Sequence, residues 1–431
     1  MNAKLPIIYN TFTWQERIVM FLVSMLFVLQ PMPKVNHKEV IVALAIGGIW
    51  ILLFQKRIYN QIGFWQMLTV ICLLAIPGII SFLNTRSISQ TTLFVLAIPL
   101  FLAAGTTIYS LLSNRKAVLV LASVIAVTSS FWIIDAIIQS IFGNDLFGVP
   151  MIYGKQLTGP FLGSTRMGIL LTVTLPVTLK WFSRFGWVPQ LLYISTLGYV
   201  LILTGVRTDL ITFVVALVLF YLCYKKSRTI ILVGLLPAMI IVGAIAISIS
   251  PLAQEKLQRL ISVPTTLDGW NAKLTNRVYI YAAGLNMGTD NLMTGVGAKA
   301  FNHAYVEYRL DVDKHIAPDE NGKGGAFHAH HPWISVFAET GLTGIVFLIG
   351  MIVFLVVIAL RSPWKLNLYH FPWLLSLVLL LNPVNSMLPL FEMWWFPIVL
   401  LVIVSHIVDV EYANSSQIIS IRSTHCNDDK T

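Results

Sequence analysis

The stretch Phe327-His-Ala-His-His-Pro-Trp-Ile-Ser-Val-Phe-Ala-Glu-Thr-Gly-Leu-Thr-Gly344 continues as an apolar run to Leu360. From Ile334 to Leu360 its only Asp, Glu, Lys or Arg is Glu339. A helix needs about 20 mostly apolar residues to cross a hydrocarbon core, so this segment predicts a membrane span. Its start carries three histidines, His328, His330 and His331, where a long polar segment ends. Imidazole titrates near neutral pH and can move protons without a metal or cofactor. A proton-transfer group at a membrane face suggests chemistry on a lipid-linked substrate.

Working outward, similar apolar runs recur along all 431 residues. The chain is 57% hydrophobic and only 11% charged, with mean hydropathy +0.78, whereas a soluble domain carries about 25% charged residues. This predicts an all-α polytopic membrane protein rather than a β-barrel, with about twelve transmembrane helices. They fall near 17–33, 39–55, 64–83, 91–112, 117–142, 167–182, 190–205, 208–224, 229–250, 334–360, 371–386 and 390–408. The first has no small-x-small cleavage site after it and reads as a retained helix.

The net charge of +10 does not call for nucleic acid. Lys56-Arg57, Arg115-Lys116, Lys180 with Arg184, Lys225-Lys226 with Arg228, and Arg361 with Lys365 occupy alternate loops. Positive loops stay cytoplasmic, so these put the N-terminus and the 409–431 tail in the cytoplasm. Lys34 and Lys38 are exceptions on the opposite face. The domain reading is then transmembrane helices 1–9 over 1–250 and one large outer loop over 251–333. Helices 10–12 follow over 334–408. In a bacterium with two membranes the loop is periplasmic. Cys72, Cys223 and Cys426 are scattered, without a CxxC pair, and predict neither a disulfide framework nor a zinc site.

Within the loop, Arg277-Val-Tyr-Ile-Tyr-Ala-Ala-Gly-Leu-Asn-Met has helical spacing, with Thr275 or Asn276 as its cap. Leu310 to Gly325 reads as a polar excursion, and Asp311 and Asp313 as solvated. His303 and His315 read as solvated loop histidines. Pro332 is a helix-start residue. His-x-His-His can ligate zinc, but no Cys or carboxylate follows at ligand spacing, so the metal reading ranks lower. Arg207 lies in the tight outer turn Leu203-Thr-Gly-Val-Arg-Thr-Asp209, where an ionisable group is a functional candidate; the bland reading is a snorkelling side chain or an ion pair with Asp209. Arg207 and Arg277 on one face suit a diphosphate, which guanidinium binds bidentately. Asp135 and Glu392 read as partners of an arginine in the bundle. Glu339 lies too far along the helix to contact His330 directly. Gly341 and Gly344 read as a close helix-packing step, and Trp394-Trp395 as interfacial anchors.

His330-His331, nine residues, then Gly341-Leu-Thr-Gly344 resembles the signature of the O-antigen ligase and polymerase superfamily: a His, then Asn, Ser or Gln, nine residues, then Gly-x-x-Gly. His331 departs from the second position, and His328 fits the His-x-His form of some ligases. Thr204-Gly-Val-Arg207 resembles that family's Thr/Ser-x-Arg segment. Arg277 with Leu292-Met-Thr-Gly-Val-Gly297 resembles its loop-helix arginine and Pro-x-x-Gly-x-Gly run, although no Pro precedes Leu292. Gly159-Pro-Phe-Leu-Gly163 is similar to its glycine-rich segment before a mid-chain span. The resemblance covers about 155–360.

It implies an inner-membrane glycosyltransferase that moves O-antigen glycan from undecaprenyl diphosphate to a sugar hydroxyl of lipid A–core. The implied transfer needs no metal or other cofactor and inverts the anomeric centre. His330 is the implied general base, and Arg207 and Arg277 are the implied diphosphate ligands, with His328 and His331 secondary. A repeat-unit polymerase and a protein O-oligosaccharyltransferase are the near alternatives. A transporter or flippase is the distant one; such folds often carry internal repeats, and none is visible here.

Overall fold

A computed structural model describes residues 12–32, 37–152, 156–223, 248, 254, 258, 263–274, 277–313, 326–363, 371–383 and 395–428. Among them regular structure is helical, with two isolated β-bridges in the loop around 144–156. The helices are α1 (Trp14–Val28), α2 (His37–Phe54), α3 (Ile62–Ile80), α4 (Ile88–Leu112), α5 (Arg115–Phe142), α6 (Met167–Phe182), α7 (Trp187–Thr204) and α8 (Arg207–Cys223). After them come α9 (Leu267–Lys273), α10 (Arg277–Asp290), α11 (Phe301–Tyr308), α12 (Pro332–Leu360), α13 (Pro372–Leu380) and α14 (Phe396–Asp428). Six segments among the described residues are long and apolar enough to cross a membrane. The expected span at 229–250, the capping residues 275–276, His315, Glu392 and Trp394 lie outside the described residues.

The apolar faces form one continuous core, and α6 lies deep within it, with Ile169, Leu170, Leu171 and Val173 fully buried. A second, smaller core of Ile280, Met287, Phe301, Tyr305 and Ala329 joins α10, α11 and the histidine segment. That second core makes the polar region a packed cap on the bundle.

The chain's loops gather at two ends. At one end, Arg86 N–H donates to Val296 O and Thr91 Oγ1 to Ala298 O, tying the α3–α4 turn to the segment after α10. Arg86 also pairs with Glu307 at 3.0 Å. At the other end, Arg115 contacts Asp409 at 2.5 Å and Tyr109 OH donates to Glu411 Oε2 at 2.7 Å. Asp409 also feels Lys180, which in turn feels Arg184. Two of the positive loops expected on a common face, those of Arg115 and of Lys180 with Arg184, therefore meet there.

Several local readings are corrected by packing. Asp135 is fully buried, and its Oδ1 accepts from Leu146 N–H at 2.8 Å, so it holds the α5–α6 loop instead of pairing with an arginine. Asp313 is buried rather than solvated, because Tyr305 OH donates to it at 2.6 Å. Gly341 is not a smooth packing step. Its φ of 65° and ψ of −159° break α12. The segment Leu292–Gly297 docks into the break: Val296 and Gly297 N–H donate to Ala338 O and Glu339 O, and Leu342 N–H donates to Leu292 O. Thr343 Oγ1 donates to Met293 O. A Cβ on Gly341 would lie 2.6 Å from Leu292 O, and one on Gly295 would lie 2.4 Å from Thr340 N. Two glycine motifs distant in sequence thus form one joint.

Candidate active site

Three helix starts and the histidine segment build the site. Arg277 opens α10, as its spacing predicts. One face of α10 presents Arg277, Tyr281, Gly284 and Gly288 at helical spacing. The two glycines admit α12 closely: a Cβ at Gly284 would sit 2.7 Å from Ile334 Cγ2, and one at Gly288 would overlap the Phe337 ring. Tyr281, one turn above Gly284, then reaches the histidines. Its ring meets His331 edge-on at 5.7 Å, and its hydroxyl points to His330 O at 3.5 Å.

The three histidines have separate roles. His331 caps α12: its Nδ1 accepts from Ile334 N–H at 3.2 Å. A proton on the neutral ring therefore belongs to Nε2. His330 has φ of 51°, in the left-handed region that non-glycine residues rarely adopt. His328 and His330 lie 4.2 Å apart between ring centroids, inclined by 47°. Among the described residues, the His328 Nε2 is buried without a hydrogen-bond partner. Burial first, then His330, Arg166 and Arg277, push the His328 pKa down to about 3. Near pH 7 it is a neutral imidazole among cations.

Arg166 was not a candidate from sequence. It is the N-cap of α6 and acts electrostatically on His328. The signal was available: it is the lone Asp, Glu, Lys or Arg between Lys155 and Lys180, and the loop pattern puts it on the same face as the histidines. Its neighbourhood is set by another glycine. Asp209 on α8 is fully buried, and a Cβ on Gly168 of α6 would overlap its carboxylate. The starts of α6 and α8 therefore lie side by side, and each carries an arginine two residues before the contact, Arg166 and Arg207. Leu157 N–H donates to Leu203 O across the same junction. Asp209 faces Arg277 electrostatically, so it links α8 to α10. Burial lowers the Arg277 pKa, with Tyr281 and Asp209 opposing.

Arg277, Arg166, His328 and His330 thus share one neighbourhood, and Arg207 opens α8 beside the start of α6. His303 lies on α11. Glu339 is turned elsewhere, its Oε2 accepting from Lys299 N–H at 3.0 Å. Among the described residues, no group of three or more His, Cys, Asp or Glu is placed to hold a metal. A cluster of guanidiniums beside neutral imidazoles suits a polyanion together with a group that must lose a proton.

Residues 192–349 match the family model described as O-antigen ligase. This part of the chain is similar to the O-antigen ligase family. No curated protein matches the chain. The matched segment contains Arg207, Arg277 and all three histidines of the segment, while Arg166 lies before it. The two glycine motifs of the α12 joint also fall inside it. Members of this family are membrane glycosyltransferase-like enzymes, ligases and polymerases, and the family implies lipid-linked glycan and lipid acceptor substrates.

Proposed function

We propose that this protein transfers O-antigen glycan from undecaprenyl diphosphate to a sugar hydroxyl of the lipid A–core oligosaccharide. The site faces the periplasm from the bacterial inner membrane. The observation that carries this reading is the gathering of helix-start arginines around the His328–His330 pair. His330 takes the proton of the acceptor hydroxyl. The acceptor oxygen forms a bond to the anomeric carbon as the bond from that carbon to the diphosphate oxygen breaks. One displacement inverts the centre. Undecaprenyl diphosphate leaves, and Arg207 and Arg277 stabilise the charge that grows on its bridging oxygen. Arg166 adds to that field. The neutral His328 adds no positive charge of its own beside His330. No metal takes part.

A transfer assay with purified protein in detergent, diphosphate-linked glycan and lipid acceptor tests this. General-base assistance contributes about 10²–10⁴-fold, so His330→Ala should lose about that factor with unchanged protein yield and melting. Wild-type transfer by the variant would remove His330 from its role. Arg207→Lys should raise the donor KM, because ammonium cannot reproduce the bidentate contact. Loss of activity to a chelator, restored by a divalent cation, would overturn the metal-free mechanism. The deletion phenotype separates the acceptors: polymer accumulates on the carrier without a ligase, whereas single repeats reach the core without a polymerase.

A further inference from the structure

His330 carries a φ of 51°. This left-handed backbone is costly for any residue with a Cβ and persists only where its surroundings over-determine it. Its neighbours in the chain are held. Ala329 is fully buried in the small core. His331 is fixed by the bond from Ile334 N–H and by Pro332 in the first turn of α12. His330 itself is met from α10. The Tyr281 hydroxyl donates to His330 O at 3.5 Å, and the Tyr281 ring stands edge-on to the next side chain, His331, at 5.7 Å. The hydrogen bond is long, and the ring contact adds to it. Further along α10, Gly284 and Gly288 let α12 come close, which sets the height of Tyr281 against the histidines. Tyr281 is partly buried, and burial pushes its pKa above the usual tyrosine range against the pull of Arg277. The phenol therefore keeps its proton and remains a donor.

We propose that Tyr281 is a positioning residue for the transfer: its hydroxyl and ring hold the His330–His331 backbone in the left-handed conformation that keeps the His330 imidazole beside the arginines. The inference deepens the function proposed above and rests on the general-base role of His330 there. Tyr281 acts on the reacting atoms only through His330. Arg277 precedes it by one turn on the same face of α10, about 6 Å along the axis. One rigid helix thereby carries both a diphosphate ligand and the support of the base, so the separation between the two ends of the displacement is fixed before substrates arrive.

The test separates hydroxyl from ring. Tyr281→Phe removes the donor alone, and Tyr281→Leu removes the ring edge as well. In Tyr281→Phe, kcat should fall about three- to tenfold, the range one neutral hydrogen bond supplies. Donor KM and melting temperature should stay at wild-type values, and Tyr281→Leu should lose more kcat. Lower melting with unchanged kcat per folded molecule would make the contact merely structural and overturn the proposal. A raised donor KM with kcat kept would put the hydroxyl on the diphosphate and overturn it too. In a His330→Ala background, Tyr281→Phe should cost nothing further, because residues that act as a unit are non-additive; a fully additive loss refutes action through His330. Hydrogen–deuterium exchange over residues 326–336 reads the backbone without any transfer. Uptake should rise in Tyr281→Phe, and unchanged uptake overturns the backbone hold. Raised uptake there, together with wild-type transfer by His330→Ala, would defeat the proposed function and leave the hold standing. Loss of transfer in His330→Ala, with uptake and kcat unchanged in Tyr281→Phe, would do the reverse.

Discussion

His328 and His330 are separated by one alanine, yet their surroundings set them apart. His328 is held neutral by burial and by the cations around it, with its pKa near 3 against an ordinary value of about 6.5. Between those values the unfolded chain binds a proton that the folded protein does not. Stability therefore rises with pH across that window and is lost as pH falls from about 6.5 towards 3. His328→Gln removes this proton linkage. Its melting temperature should drop less than that of wild type on acidification from pH 7 to pH 4.5. Parallel melting curves would show that His328 is charged in the fold. The His-x-His-His spacing marks four residues but does not divide their work. His331 is taken by the helix cap, a role that Pro332 next to it hints at. Arg166 was missed because one arginine before an apolar run resembles any loop charge. Only the contact of Gly168 with Asp209 shows where it goes.

At the level of elements, the decisive feature is the joint between the α10–α11 connection and the break in α12. Gly341 carries a backbone conformation costly for any L side chain, of order 1–3 kcal/mol, and backbone of Leu292–Thr294 fills the space where a Cβ would stand. Gly341→Ala should therefore destabilise by at least about that amount and lower transfer, since α10 and the histidines lose their shared support. Gly350→Ala, on the same helix, meets nothing within 4 Å and should be neutral or gain up to about 1 kcal/mol from helix propensity. Thermal melting in detergent compares the two directly. Similar losses in both would mean that the joint contributes nothing specific. From sequence, Gly-x-x-Gly in an apolar helix reads as smooth packing, because the loop that forces the break enters from about fifty residues upstream.

Across the whole molecule, the candidate site and the Arg115–Asp409 cluster occupy opposite ends of the bundle. Asp409 is nearly fully buried, whereas the Arg115 side chain keeps 34% of its exposure and also lies 4.6 Å over the Tyr412 ring. Breaking a buried pair costs about 3–5 kcal/mol; with one partner in contact with solvent, Arg115→Ala should cost about 1–3 kcal/mol. The loss should appear in melting, while kcat per folded molecule at the far end stays unchanged. A fall in kcat with unaltered stability would show that the two ends communicate. The gathering of Arg115, Lys180 and Arg184 at this end agrees with the loop-charge pattern, which is a property of each loop alone and needs no packing to be read.

Local order in the chain determined the apolar, all-helical class, the start of α10 at Arg277 and the start of α12 at Pro332, and the resemblance to the O-antigen ligase family. Each depends on composition or spacing within one helix or one turn. Tertiary structure decided which histidine is left beside the arginines, that Arg166 joins them, that Asp209 faces Arg277, and that α12 breaks. Those outcomes depend on close approaches permitted at Gly168, Gly284, Gly288, Gly295 and Gly341, where backbone and side chains from distant segments occupy the volume a side chain would have filled.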